Sequence, residues 1–369
     1  MPPTMPPTVP PTTAPTVPPT TPPVLSAVVL SAALFASACQ GPQNVDPGPS
    51  AGPASDEADE AAAAIEAALA DSPLRDAVVW IGHADGTDRL WRKGDGHEDR
   101  LYFADSAQKW TVATVLLREV RALGLDSTAA LRALPHASRF VGHTDGAAGD
   151  TTVAQTLSFM AGFEDPPLCA SVAAGDLHDC AGAIFDSGQT TPIRYHYGTH
   201  AMMVTASLLT DDDESYATLF QRFQDDTGLF GDAVYGSAEK PLRLETSATS
   251  YRAFLLALLD DDSGLLHVDD RAAMFEDHVG DAAISSSPAS GMDGEWRYGL
   301  GNWVRCDDGA CGSQRHSAGA RGFYPWIDLE RRTYGLIVHN AAVGDWQESH
   351  ALYEDIVDLI PVALDLDPS

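Results

Sequence analysis

The chain has 369 residues, of which 44% are hydrophobic, and this is enough for a large buried core. Lysine and arginine number 22 against 53 aspartates and glutamates, so the formal net charge is −31. This balance argues against a nucleic-acid partner, which requires a basic face, and against electrostatic docking on anionic membranes. The 8% aromatic content excludes a chain that is disordered throughout.

The first 39 residues are predicted to be a leader. Met1–Pro23 consists almost wholly of proline and threonine, which cannot form a packed core. The apolar run Val24–Ala36 is too short to span a bilayer and fits the apolar region of a signal peptide. It leads into Ala36-Ser37-Ala38-Cys39, which resembles the bacterial lipobox. Cys39 is therefore predicted to carry a lipid anchor to the membrane, on a protein exported to the periplasm or the outer surface of the cell envelope.

One departure from that pattern leaves an alternative open. No lysine or arginine precedes Arg75, so the positively charged start of a typical signal peptide is missing. The alternative is a Pro/Thr stalk followed by a chance apolar patch with one free cysteine.

Residues 40–59 are rich in proline, glycine, serine and acids, and we predict a disordered tether. They contain Gly48-Pro49-Ser50-Ala51-Gly52, formally a GxSxG motif. A nucleophile elbow needs a strand before it and a helix after it, and here prolines stand on both sides. The folded domain is predicted to occupy residues 60–365.

The predicted elements of the folded part begin with a helix over about Asp56–Leu69, with Ser55 as its N-cap. Ala77–Gly82 reads as a strand with Arg89–Arg92 as its hairpin partner, and a longer helix begins near Asp105. The later elements are helices over Thr152–Met160, His200–Leu209 and Tyr251–Leu259, strands over Tyr298–Arg305, Gly322–Asp328 and Thr333–His339, and a closing helix over Trp346–Leu359. Strands at both ends with helices between them predict one sheet in which the first and last segments pair.

The cysteines indicate an oxidising compartment. If Cys39 is lipidated, four remain, and four cysteines permit three connectivities. We favour Cys169–Cys180, which closes a loop, and Cys306–Cys311, which clips a hairpin around residues 307–309. A zinc site is the alternative, although neither spacing is CxxC.

The strongest chemical motif is Ser106-Ala107-Gln108-Lys109, an SxxK in the first turn of the predicted helix. Residues three apart on a helix share a face, so the lysine amine can lie beside the serine hydroxyl. A serine becomes a good nucleophile when a base takes its proton, and a buried lysine amine can do this. The start of a helix also offers N–H donors where an oxyanion forms. A surface serine beside a solvated lysine is the alternative.

The surrounding sequence resembles one superfamily of serine enzymes. Leu101–Trp110, followed by an apolar helix, is similar to the nucleophile segment of serine β-lactamases and penicillin-binding proteins, especially the branch of class C β-lactamases, D,D-peptidases and esterases. Further similar segments follow in the family's order, namely Asp150–Phe163, Tyr197-Gly198-Thr199, His316-Ser317-Ala318-Gly319 and Gly322–Asp328. The resemblance covers about residues 76–359. It implies an α/β (α+β) fold, with an antiparallel sheet from the terminal segments flanked by helices and a mainly helical subdomain at about 125–285.

The resemblance also implies residue roles. Ser106 would be the nucleophile, and Lys109 and Tyr197 would transfer protons. Thr199 replaces the family's asparagine, which weakens the case for recognition of a β-lactam or peptide amide. A half-buried aromatic with a satisfied hydroxyl is the alternative for Tyr197, and His200 is either a polar contact or a core histidine.

The third motif has two possible registers. If His316 matches the family's lysine, Ala318 takes the glycine position; a shift of one residue puts Gly319 there but leaves Ser317 where a cation belongs. In either register a backbone amide near Gly319 or Ala320 is expected to complete the oxyanion hole. The loss of the lysine favours an esterase or peptidase over an antibiotic-degrading enzyme.

The sequence therefore predicts a serine hydrolase that forms an acyl-enzyme at Ser106 and acts on a small-molecule ester, an amide or a cell-wall peptide. The alternatives are a catalytically weak, penicillin-binding-like protein that binds peptidoglycan or an envelope partner, and, as the third possibility, a true β-lactamase. No cofactor and no metal is predicted, because the acidic runs Asp211–Glu214 and Asp260–Asp262 lack EF-hand spacing.

Overall fold

The computed structural model describes residues 56–163, 177–237, 240–290, 292, 294–307, 309–339, 344 and 346–366. These residues belong to one compact unit. The leader with Cys39, most of the tether, Ser55 and Cys169 lie outside them, so the lipid anchor and the Cys169–Cys180 bridge stay predictions. None of the helices in these ranges is long and apolar enough to cross a bilayer.

The helices agree closely with the sequence pattern, and the first begins at Asp56, within the segment assigned to the tether. They are α1 (Asp56–Asp71), α2 (Gln108–Ala122), α3 (Val141–Thr144), α4 (Ala147–Asp150), α5 (Val153–Leu157), α6 (Leu177–Ser187), α7 (His200–Leu209), α8 (Tyr216–Thr227), α9 (Ala248–Leu259), α10 (Val268–Phe275), α11 (Trp346–Ile356) and α12 (Ile360–Ala363). Short 3₁₀ turns cover Asp105–Ala107, Leu131–Ala133, Ala137–Phe140 and Val357–Leu359.

The strands form one large sheet and two small ones. They are β1 (Ala77–His83), β2 (Asp88–Lys93), β3 (Tyr102–Phe103), β4 (Tyr195–His196), β5 (Val234–Ser237), β6 (Lys240–Thr246), β7 (Ile284–Ser286), β8 (Glu295–Tyr298), β9 (Trp303–Asp307), β10 (Ala310–His316), β11 (Tyr324–Asp328) and β12 (Thr333–His339). Within the described ranges the large sheet has seven antiparallel strands in the order β2-β1-β12-β11-β10-β9-β8. The small sheets are β3-β6-β5 and the parallel pair β4-β7.

The predicted pairing of the terminal segments is confirmed. Ala77 of β1 stands opposite His339 of β12, and β2 pairs with β1 as a hairpin. Every residue of β12 is buried, as expected for a central strand that is covered on both faces. The fold class predicted from the sequence is therefore confirmed.

Alternate residues of β1 enter two different apolar layers, because side chains alternate across a strand. Val79 packs on one face of the sheet, in a cluster with residues of α1, α11 and α12 such as Ile65 and Leu352. Val78 faces the other cluster, which includes α2 and α9. Trp110 of α2 is fully buried there, with its ring edge-on to Phe254 and Phe275.

The C-terminal half of the sheet differs from the prediction in one place. The segment predicted as a single strand, Tyr298–Arg305, spans the end of β8, a turn and the start of β9. Gly301 in that turn has φ +81°, which favours glycine, and a Cβ there would overlap the carbonyl oxygen of Lys109. The turn therefore fixes the edge of the sheet against the start of α2.

The disulfide Cys306–Cys311 is present and joins facing residues of β9 and β10, as predicted. β10 was predicted only as the second arm of this hairpin, without bounds; its first three residues are exposed, and only Arg315 and His316 at its end are buried.

Candidate active site

The start of α2 brings the SxxK pair together. Ser106 lies in the 3₁₀ turn Asp105–Ala107 that runs directly into α2, and Lys109 lies in the first turn of α2. Nζ of Lys109 donates a hydrogen bond to Oγ of Ser106 at 2.9 Å. The lysine side chain is buried, with only 4% of the residue exposed, whereas Ser106 is half-buried. The solvated-lysine alternative does not fit this geometry.

Tyr197 covers the lysine with its ring. Nζ of Lys109 lies 4.6 Å from the centre of the Tyr197 ring, which stacks on Trp303 at 5.1 Å. The main chain of Tyr197 is fixed by a hydrogen bond from its N–H to the carbonyl oxygen of Ser286 in β7. Among the described residues no hydrogen bond joins the Tyr197 hydroxyl to Ser106 or Lys109. Tyr197 therefore contacts Lys109 of the Ser106–Lys109 pair with its ring and not with its hydroxyl.

Ser106 and Tyr197 line one pocket of about 480 Å³, measured with its open mouth. Its other walls come from the loop before β8, from the edge of the sheet and from the start of α11, and they are mainly apolar. The remaining lining residues are Pro288, Ala289, Met292, Trp296, Trp303, His316, Ala318, Ala320, Tyr324 and Trp346. A concave, apolar space with a few converging polar groups is typical of a small-molecule site.

The segment after β10 approaches the turn that carries Ser106 closely, and this contact bears on the register of the third motif. A Cβ at Gly319 would overlap the carbonyl oxygen of Ala104, two residues before Ser106, so this position requires glycine. Ser317 Oγ donates to the carbonyl oxygens of Ala107 and Gly301, both at 3.4 Å. This close approach favours the register in which Gly319 takes the glycine position and Ser317 the cation position, and the register stays a prediction.

Two N–H groups are available where an oxyanion would form. The first hydrogen bond of the helical turn runs from the N–H of Ala107 to the carbonyl oxygen of Ala104. The N–H of Ser106 lies one residue earlier, where helical N–H groups have no partner within the helix. The N–H of Gly319 is used by the carbonyl oxygen of Phe323 at 2.8 Å. For the N–H of Ala320, the part of the chain that the structure describes offers no acceptor. Ser106 and Ala320 both line the pocket, so their N–H groups are the candidate donors for an oxyanion.

An ion pair that sequence reasoning missed lies next to both donors. Asp105, with φ +46°, directly precedes Ser106, and its carboxylate accepts a hydrogen bond at 2.5 Å from Arg321, which directly follows Ala320. Burial raises the pKa of Asp105, and the positive charges of Arg321, Arg243 and Lys109 act in the opposite direction. Asp105 and Arg321 are 216 positions apart in the chain, so a local sequence motif could not predict their pairing.

The other predicted site residues lie in different surroundings. Thr199 is the N-cap of α7 and is not among the residues that line the pocket. His200 is buried, with its Nε2 3.0 Å from the carbonyl oxygen of Phe163, as in the core-histidine alternative. His316 lines the pocket, and burial lowers its pKa well below the usual value, so it is a neutral side chain at pH 7. It supplies no permanent positive charge.

One group of side chains in the described ranges could reach a common metal ion, namely His97, Glu98 and Asp99. The carboxylate of Glu98 is bound by Arg92 at 2.6 Å, and this interaction holds the pKa of Glu98 at about 2. An arginine that already neutralises the central carboxylate accounts for this cluster as a surface ion pair.

The fold described above has the architecture of the β-lactamases and penicillin-binding proteins. No protein-family model matches the chain, and no curated protein matches it. Among solved structures, a protein assigned as a β-lactamase from Bacteroides dorei matches with a TM-score of 0.65 and 19% identity, over 81% of this chain and 97% of that one.

Two further structures extend the similarity. A penicillin-binding protein from Bacillus halodurans has a TM-score of 0.59 and 14% identity, over 79% of this chain and 99% of its own. A class C β-lactamase from Rhodobacter sphaeroides has a TM-score of 0.54 and 16% identity, over 81% and 99% of the two chains. At sequence identities of 14–19%, these structural matches show a shared fold and nothing further.

Proposed function

We propose that the protein is a serine hydrolase that forms an acyl-enzyme at Ser106 and acts on an ester, an amide or a D-peptide substrate in the cell envelope. One observation carries the proposal: a buried lysine amine lies 2.9 Å from a serine hydroxyl that opens into a pocket. A lysine held out of solvent against a serine is the arrangement that a general base and its nucleophile need.

In the first half of the reaction, Oγ of Ser106 attacks the substrate's carbonyl carbon while its proton passes to the neutral amine of Lys109. The negative charge that develops on the carbonyl oxygen is held by the N–H groups of Ser106 and Ala320. Removing one donor of this kind typically costs about 10²–10³-fold in kcat.

Collapse of the tetrahedral intermediate breaks the bond to the leaving group, which needs a proton. The ammonium of Lys109 returns this proton directly or through the hydroxyl of Tyr197, whose ring borders the amine. Water then attacks the acyl-enzyme and gives a proton to the same amine. Collapse of the second tetrahedral intermediate breaks the bond to Oγ of Ser106, which takes that proton back from Lys109 as the acid is released. Each half-reaction leaves Lys109 neutral again.

The pocket supports an ester or peptide over a β-lactam. A fixed cation is absent from the third motif in the described residues, because Ser317 stands at that position and His316 is neutral. The lining is largely aromatic, with Trp296, Trp303 and Trp346 among its residues. We therefore expect efficient hydrolysis of simple aryl esters and only slow turnover of nitrocefin.

The second candidate is a binding protein without turnover, engaging peptidoglycan or an envelope partner. It is favoured by two observations: the hydroxyl of Tyr197 makes no hydrogen bond to the described Ser106 or Lys109, and Thr199 lies outside the pocket. The close Ser106–Lys109 contact favours catalysis.

The location in the envelope, with a lipid on Cys39, is part of the proposal and has its own test. The Cys306–Cys311 bridge supports an oxidising compartment. Metabolic labelling with an alkyne fatty acid is expected to tag the full chain and not its Cys39→Ser variant. Equal labelling of both chains, or of neither, would contradict lipidation at this residue.

Covalent labelling tests the catalytic proposal. The wild type is expected to take up one fluorophosphonate at Ser106, located by mass spectrometry, and to hydrolyse p-nitrophenyl acetate. Ser106→Ala should lose the label and at least about 10³-fold in kcat. Ser138→Ala, which changes an exposed serine, is the matched control and should retain both. Unlabelled wild type, or equal rates for wild type and Ser106→Ala, would favour the binding protein. A panel that adds a D-alanyl peptide and nitrocefin then sorts the substrate class.

A further inference from the structure

The pocket that Ser106 opens into has a histidine in its otherwise apolar wall. His316 lies at the end of β10 with 1% of its surface exposed, and its imidazole stands edge-on to the rings of Trp296 and Tyr353 at 5.1 and 5.0 Å. The reaction proposed above makes no use of this side chain.

Only one of the two imidazole nitrogens of His316 is satisfied. Nδ1 lies 3.2 Å from the hydroxyl oxygen of Tyr324, whereas Nε2 is buried and has no hydrogen-bond partner within the described ranges. Buried polar atoms without a partner are rare in native proteins, and each one calls for a physical explanation. Because His316 lines the pocket, a bound ligand is a suitable partner for Nε2.

The groups next to His316 favour one of its two tautomers, and the tautomer decides which kind of partner Nε2 needs. The carboxylate of Glu354 lies 3.9 Å from Nε2 of His350 and favours a proton on that nitrogen. Nδ1 of His350 then accepts from the hydroxyl of Tyr324 at 2.8 Å. The only proton of the Tyr324 hydroxyl is used in that hydrogen bond, so its oxygen accepts a hydrogen bond from Nδ1–H of His316. In this tautomer Nε2 of His316 is an acceptor.

We propose that the pocket is a subsite for an apolar, planar group of the substrate's acyl part that carries a hydrogen-bond donor, a hydroxyl or an amide N–H, and that this donor binds Nε2 of His316. The inference rests on the proposed function, because Ser106 lines the same pocket and the group held there is the one that becomes attached to it. Trp296, Tyr324 and Trp346 supply the flat apolar contacts. A site built to hydrogen-bond a substrate group discriminates strongly against analogues without that group.

Three p-nitrophenyl esters that share one leaving group test this subsite, namely those of phenylacetic, 4-hydroxyphenylacetic and 4-methoxyphenylacetic acid. The wild type is expected to prefer the hydroxyl ester in kcat/KM by about 10- to 100-fold over the other two. His316→Phe should abolish the preference, which is a ratio of kcat/KM values and so is unaffected by a loss of rate common to all three esters. His316→Gln, which can still accept a hydrogen bond, should retain part of it.

Tyr324→Phe separates the tautomer argument from simple packing. In this variant Nδ1–H of His316 loses the Tyr324 oxygen as its acceptor, so the tautomer with Nε2 as an acceptor is no longer favoured. The preference for the hydroxyl ester should therefore fall, although the aromatic ring at position 324 remains. Equal kcat/KM for the hydroxyl and unsubstituted esters in the wild type, or a preference that survives His316→Phe, would overturn the inference.

A binding measurement keeps the two proposals distinguishable. Calorimetric titration of the Ser106→Ala variant with 4-hydroxyphenylacetate and with phenylacetate is expected to show tighter binding of the hydroxylated acid. Preferential binding without ester turnover would refute the hydrolase and retain the subsite. Turnover without preference in either measurement would retain the hydrolase and refute the subsite.

Discussion

The ion pair between Asp105 and Arg321 ties together the two chain segments that carry the proposed oxyanion donors. Asp105 is adjacent to Ser106 and Arg321 is adjacent to Ala320, and the two side chains meet at 2.5 Å. The substitution Arg321→Met removes the charge and keeps most of the aliphatic length. We predict that it lowers activity through the position of these donors, because Arg321 itself contributes no group to the pocket lining.

The size of the effect follows from the burial of the pair. The side chains of Arg321 and Asp105 are 27% and 19% exposed, so the pair is intermediate between a surface ion pair and a fully buried one. Its loss should cost about 1–3 kcal/mol of stability, since the remaining carboxylate is left without its cation. A shift of one oxyanion donor should lower kcat by about 10- to 100-fold with little change in KM, because the donor acts mainly in the transition state.

The pH dependence of stability gives a second measurement. Burial already raises the pKa of Asp105, and removal of Arg321 should raise it further. A carboxyl whose folded pKa is raised stabilises the fold below its unfolded pKa of 3.8, and this stabilisation is lost as the pH rises through the folded pKa. The stability deficit of Arg321→Met relative to the wild type should therefore be smallest in acid and complete at neutral pH.

Steady-state kinetics and thermal unfolding of matched variants check the reasoning. Arg89→Met is the control, because Arg89 is also 27% exposed and pairs with Asp59 at 3.4 Å, on β2 at the opposite edge of the sheet. The double variant Asp105→Asn/Arg321→Met should recover stability without recovering kcat. A wild-type kcat in Arg321→Met, or an equal loss in Arg89→Met, would refute the role of the pair.

Three further predictions concern neighbouring features. Gly319→Ala should lower kcat by at least about 10²-fold, because its Cβ would displace the donor segment from Ala104; fluorophosphonate labelling rates measure this, and unchanged rates contradict it. Cys306→Ser with Cys311→Ser should cost about 2 kcal/mol in urea unfolding, the loop-closure value for a short loop, and an unchanged midpoint would be inconsistent with it. Glu98→Gln should lower the melting temperature slightly above pH 4.5 and progressively less as the pH falls towards 2, because the depressed pKa of Glu98 adds stability only while it is ionised; a pH-independent difference would exclude this cause.

Local patterns were sufficient for much of the fold. The alternation of β1, the apolar run of β12 and the helical spacing of α2 are each readable from neighbouring residues, and the structure places all three as predicted. β10 was predicted only as the second arm of the Cys306–Cys311 hairpin, and its bounds were not predictable because its buried residues come only at its end. The turn at Gly301 likewise depends on contact with α2, which the local pattern does not contain.

The site residues likewise fall into two groups, those that the local sequence predicts and those that depend on tertiary contacts. Ser106 and Lys109 were predictable because one helix turn fixes their spacing, and the distance between their reacting atoms follows from it. The register at Gly319 was ambiguous in sequence, since the requirement for glycine arises from Ala104 on another segment. The pair of Asp105 with Arg321 and the link from His316 to Tyr324 and His350 depend wholly on tertiary contacts.

The pairing of β1 with β12 joins segments that are far apart in the chain. Ala77 and His339 stand opposite each other although roughly 260 residues separate them, a long-range closure of the kind that slows folding. During synthesis the β1–β2 hairpin emerges early with one apolar edge unpaired, and β12 covers that edge only near the end. We therefore expect the central sheet to be completed only after β12 has left the ribosome.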